Sequence, residues 1–173
     1  MNASRKSIAA VFWGSMALAS MASSSHAAPC RPVTGAFAST IEMGPGCASS
    51  PISMCTHGRL DGDLHATYEF AFRSLTPDAT NPLRSNYEGT SVITLEGGSQ
   101  PHMFSSDTGF LIVKPDGGAS FETTVHIVDG TGDYASASGQ IVAGGSLDLG
   151  TGSGDGSYRG AICRPAAGGG CGH

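Results

Sequence analysis

Residues 125–163, VHIVDGTGDYASASGQIVAGGSLDLGTGSGDGSYRGAIC, decide the fold. Short apolar runs at Val125–Val128, Ile141–Val142, Leu147–Leu149 and Tyr158–Ile162 are separated by glycine-dense corners such as Asp129-Gly130-Thr131-Gly132. Asp-Gly and Gly-x-Gly corners supply positive φ without a Cβ clash, so each run ends as a strand and reverses. The series reads as the closing strands of an antiparallel barrel.

The same pattern extends towards the N-terminus. Val33–Glu42 is rich in small and β-branched residues and is expected to form the first strand. From Arg59 to Arg73 the period is two: Leu60, Leu64, Ala66, Tyr68, Phe70 and Phe72 share one face, and Arg59, Asp61, His65, Glu69 and Arg73 the other. This run is too long for one straight strand, and Gly62 suggests a bulge or sharp bend within it. Leu75–Ser85, with Pro77 and Pro82, is expected to be an exposed loop, and Tyr87–Glu96 alternates again. Met103-Phe104 and Phe110–Lys114 form the next extended region, which the polar and glycine residues of Ser105–Gly109 are expected to interrupt. Pro115–Gly118 makes a hairpin turn, after which Phe121, Thr123, Val125 and Ile127 alternate with Glu122, Thr124 and His126. About eight strands follow from this count, and no helical stretch. The expected fold is all-β, a single eight-stranded antiparallel β-barrel over residues 28–163, with a two-sheet sandwich as the alternative.

Met1–Ala27 has the three parts of a secretory signal: basic Arg5 and Lys6, an apolar stretch from Ile8 to Ala22, and small residues at Ser25-His26-Ala27. Cleavage is expected after Ala27, giving a secreted or periplasmic protein with no stable membrane anchor. Removing the signal leaves 146 residues, one domain's length, with seven Lys and Arg against fourteen Asp and Glu. That negative balance argues against nucleic acid and anionic membranes as partners. Residues 164–173, RPAAGGGCGH, form a glycine-rich tail expected to lack fixed structure.

Five cysteines in an exported chain imply disulfides and one unpaired thiol. Cys47 and Cys55 flank a turn-rich loop and are expected to pair. Cys30 precedes the first strand and Cys163 follows the last, so barrel closure would bring them together and leave Cys171 free. The alternative pairs Cys163 with Cys171 and leaves Cys30 free.

Gly130-Thr131-Gly132, Tyr134, Ala137 and Gly139 resemble, in order and spacing, the corner signature of the allene oxide cyclase and dirigent barrels. Asp129 stands where that pattern has its first glycine, and Ser138 where dirigent proteins usually carry arginine. Gly58–Leu64 and Tyr158–Ile162 extend the likeness. The resemblance implies an eight-stranded barrel with an apolar cavity, often assembled as a homo-oligomer, dimeric or trimeric. The proline-containing segment of the plant cyclases has no counterpart here, so no catalytic residue carries over.

Three functions compete. A carrier of a small apolar ligand would line its interior with Tyr68, Phe70, Phe72, Ile93 and Val125. A cofactor-independent cyclase or isomerase would need a buried acid of raised pKa, for which Glu69, Glu88 and His126 are the candidates if the mixed face is the interior. On a wall with its apolar stripe inward, these three are ordinary solvent-facing residues. A structural or interaction protein with a filled barrel is the third. No cofactor and no metal are expected: zinc and EF-hand spacings are absent, and Gly150–Gly156 offers only one copy of a calcium-repeat-like pattern.

Overall fold

The computed structural model describes residues 29–165. Met1–Ala27, most of the glycine-rich tail and Cys171 lie outside them. Eight strands follow in order: β1 (Cys30–Met43), β2 (Met54–Gly62), β3 (Ala66–Pro77), β4 (Arg84–Leu95), β5 (His102–Val113), β6 (Gly118–Gly130), β7 (Ser138–Asp148) and β8 (Ser153–Cys163). Each pairs antiparallel with the next, and β8 returns to β1, so the sheet closes as a barrel. The seam between β1 and β8 runs from Cys30 opposite Cys163 to Thr40 opposite Ser153. Closure leaves no strand edge exposed. Among the described residues no helix is long and apolar enough to cross a membrane.

Both expected disulfides form, Cys30–Cys163 and Cys47–Cys55. The first joins directly opposed residues at the end of the seam. The second ties the loop after β1 to the start of β2, where Cys47 and Cys55 are buried. Two disulfides fit an oxidising compartment.

Several details differ from the sequence expectations. The run Arg59–Arg73 is not one bent strand: Gly62, at φ +117°, ends β2, and a short turn leads into β3. Tyr158 fixes that turn, its hydroxyl accepting from the Leu64 N–H at 3.0 Å and donating to the Asp61 carbonyl at 3.2 Å. The irregularity in β3 lies instead between Phe72 and Ser74. β5 is continuous through Ser105–Gly109, because β4 and β6 supply backbone partners on both sides. Ile141–Val142 and Leu147-Asp148 belong to one strand, β7, with Leu149 in the turn after it. The expected loop Leu75–Ser85 shrinks to six residues, 78–83, folded back by Asp78 Oδ1, which accepts from the N–H groups of Thr80 and Asn81.

The Gly130–Gly139 corner is stapled by Asp129, whose Oδ1 accepts from the Gly130 N–H at 2.7 Å and the Ser136 N–H at 3.0 Å. Ala137 is buried beneath it, beside Met103, Ile127 and Ile162, and these side chains plug one end of the barrel.

The interior aromatics lie against glycines of the neighbouring strand. Tyr68 opposes Gly58, Tyr87 opposes Gly109 and Tyr158 opposes Gly35, and at each glycine a Cβ would run into the facing ring. Missing side chains let large rings lie flat along the wall instead of crossing the interior. Gly58→Ala should therefore destabilise the barrel by roughly 1–3 kcal/mol, the usual range for overpacking. Urea midpoints of Gly58→Ala, Tyr68→Ala and the double variant should show coupling, with the glycine change costing less once the ring is gone.

Candidate functional site: an apolar cavity with one buried carboxyl

Plugging one end leaves a cavity of about 130 Å³ in the remainder of the barrel. The space is well above the roughly 10–15 Å³ minimum for a single water. The lining reaches Leu75 at the far end of β3, which is 39% exposed, so the mouth opens among the loops after β1, β3, β5 and β7. The same end carries Met43, Ile52, Leu83, Val113 and Leu149, all exposed. Of the eight large apolar side chains exposed among the described residues, six including Leu75 surround this mouth.

All five residues expected from sequence to contact a ligand, Tyr68, Phe70, Phe72, Ile93 and Val125, line the cavity. Phe70, Phe72 and Tyr87 pack edge to face, with ring centroids 4.5 Å apart for the two phenylalanines and 5.4 Å for Phe72 and Tyr87. Burial pushes the Tyr87 hydroxyl up to about 12, against the opposing effect of its hydrogen bond with Thr123.

The candidate acids and base lie elsewhere. Glu69 accepts a hydrogen bond from Ser49 at 3.0 Å beneath the loop before β2, and Glu88, Glu122 and His126 are exposed. None of the four lines the cavity. The carboxyl that does is Asp107, 1% exposed, which the expected break in β5 concealed. Met103, Ser105, Asp107 and Leu111 occupy alternate positions, so a continuous β5 turns Asp107 inward as surely as Met103. That alternation was the available signal.

Ser91, on β4, donates its hydroxyl hydrogen to Asp107 Oδ2. Asp107 Oδ1 and the nearby Ser105 Oγ are buried without a hydrogen bond of their own. Burial raises the Asp107 pKa above the usual carboxylate range, and Ser91, Ser105 and the charge of His126 on the adjoining strand only partly oppose it. No Lys, Arg or His lines the cavity. The site is thus a greasy chamber with one acidic pole, able to hold an apolar body and to orient or exchange a proton with one polar group.

A second cluster, Glu42, Cys55 and His57, brings three donor atoms within 4.8 Å of one another. Cys55 is bonded to Cys47, which leaves no thiolate for a metal. His57 faces Glu42 at 3.7 Å. No family model, curated protein or solved structure matches this chain.

Proposed function

We propose that this protein is a secreted or periplasmic barrel that binds a small lipophilic molecule in its interior. The apolar cavity, kept open by rings that lie flat over glycines, carries the reading. The exposed apolar rim supports it, since a lipophilic ligand entering from water meets Leu75, Leu83 and Leu149 before the chamber itself. Export by a signal cleaved after Ala27 belongs to the same proposal, supported by the two disulfides. Kinship with the allene oxide cyclase and dirigent barrels rests on the Gly130–Gly139 corner.

Asp107 favours a second reading, a cofactor-independent cyclase or isomerase in which this acid moves a proton or steadies a developing cation. Glu69, Glu88 and His126, lying outside the chamber, have no part in it.

Native mass spectrometry of the protein purified from its secreting host should detect a bound small molecule that dissociates on unfolding. Methyl NMR shifts caused by that molecule should fall on Ile93, Leu111 and Val125, inside the chamber. Ala143→Phe, which places a ring in the same space, should weaken binding at least tenfold while melting stays cooperative. Shifts confined to the outer wall, or undiminished binding by Ala143→Phe, would exclude the interior as the site.

A further inference from the structure

The proposed binding role leaves the chemistry of the ligand open, and the acidic pole narrows it. Asp107 Oδ1 and Ser105 Oγ are both buried and both lack a hydrogen bond, in a native structure where almost every such atom is satisfied. They sit on alternate positions of β5, and Asp107 lines the chamber. No side chain of opposite charge lines the cavity. Phe70, Phe72 and Tyr87 stand in the same enclosure, and Tyr87 is near enough to Asp107 for the carboxylate's charge to disfavour its ionisation.

We propose that the ligand is a small lipophilic amine, its ammonium group set against the Asp107 carboxylate and its hydrocarbon body in the chamber. This inference rests on the interior being a binding site. A hydrocarbon would leave Asp107 Oδ1 unpaired. An alcohol could bond to it but would bring no charge to match the carboxylate. An ammonium supplies both the N–H donors and the charge, and aromatic faces attract a cation through their quadrupoles. The desolvation of Asp107 is already incurred on folding, so the ligand adds only the cost of drying its own cation. The chamber, well above the size that holds a single water, leaves room for a small hydrocarbon body.

Three molecules of nearly equal shape, indane, 2-indanol and 2-aminoindane, test this by titration calorimetry at pH 7.5. The amine should bind roughly tenfold to a hundredfold tighter than the alcohol, the range expected when a hydrogen bond becomes charge-assisted, with indane weakest. Asp107→Asn should reduce the amine to the level of the alcohol and leave indane unchanged, the latter showing that the chamber is intact. An alcohol as tight as the amine, or an amine preference that survives Asp107→Asn, would overturn the amine assignment. Indane binding equally well would overturn it too while leaving the lipophilic site standing. Failure of all three would remove the interior site itself.

Discussion

Replacing Cys30 and Cys163 by alanine should lower stability by about 4–5 kcal/mol, more than the loss of any single interior contact in the barrel wall. The two cysteines are 133 residues apart and close nearly the whole described chain into one loop. In the native barrel they add little geometry, because the seam of β1 with β8 already holds eleven opposed pairs. Their effect falls on the unfolded chain, whose ends they confine, and in the chain-entropy model that restriction grows with loop length. For a domain of this size each kcal/mol moves the midpoint by about 3–5 °C, so melting should fall by roughly 12–25 °C. Cys171→Ser in both proteins keeps the fifth cysteine out of the comparison. The far-UV spectrum should be unchanged, since all eight strands keep their backbone partners. A loss of only a few degrees would mean that the unfolded ensemble already keeps its ends close, and a lost β spectrum would mean that the seam depends on the bridge.

The contrast with Cys47–Cys55 follows from topology. That bridge spans eight residues and stiffens one loop at the mouth. Its removal should disturb Glu69, held by Ser49 within the same loop, before it disturbs the barrel. Closure and local shaping are thus separate roles for the two bridges, each set by where its cysteines fall along the chain.

Barrel and bridges were legible because their causes are local. Glycine corners, a period of two and cysteines beside the first and last strands all act over a few residues. The inward face was legible for the same reason, since Tyr68, Phe70 and Phe72 alternate with polar and charged neighbours along much of β3. Asp107 was not. Ser105-Ser106-Asp107-Thr108-Gly109 has no apolar member to mark a face, and it stays extended because β4 and β6 hydrogen-bond to it on both sides. Tertiary pairing overrides propensity there, and a break in the hydrophobic pattern concealed the chemical centre of the chamber. Gly62 failed for a related reason. A glycine within alternation signals special backbone geometry but not whether the chain bulges or turns back, and Tyr158, almost a hundred residues away in sequence, decides that by capping the turn.

Asp107→Asn should stabilise the protein at neutral pH by about 1–3 kcal/mol, although it is expected to abolish amine recognition. Asparagine keeps the shape and a bond to Ser91 but carries no charge into the apolar chamber. The sign of the pH dependence follows from burial. Native Asp107 holds its proton to a higher pH than the same residue in the unfolded chain, where loss occurs near about 3.9. Folding therefore takes up a proton between those two values, and native stability falls as pH rises through that window. Below it both proteins carry a neutral side chain at 107 and should melt together. Above it the wild type bears a buried, half-satisfied carboxylate and the variant does not, so the gap opens with pH and then levels. Thermal melts from pH 4 to pH 8 on both proteins measure this directly. A constant difference across the series would mean that Asp107 is as well solvated as a surface acid, and the case for an acidic pole would fail with it. A widening gap would identify the residue as one that lowers stability in the unbound barrel and is favoured when a cation fills the chamber, the opposition expected where a binding site is built into a core.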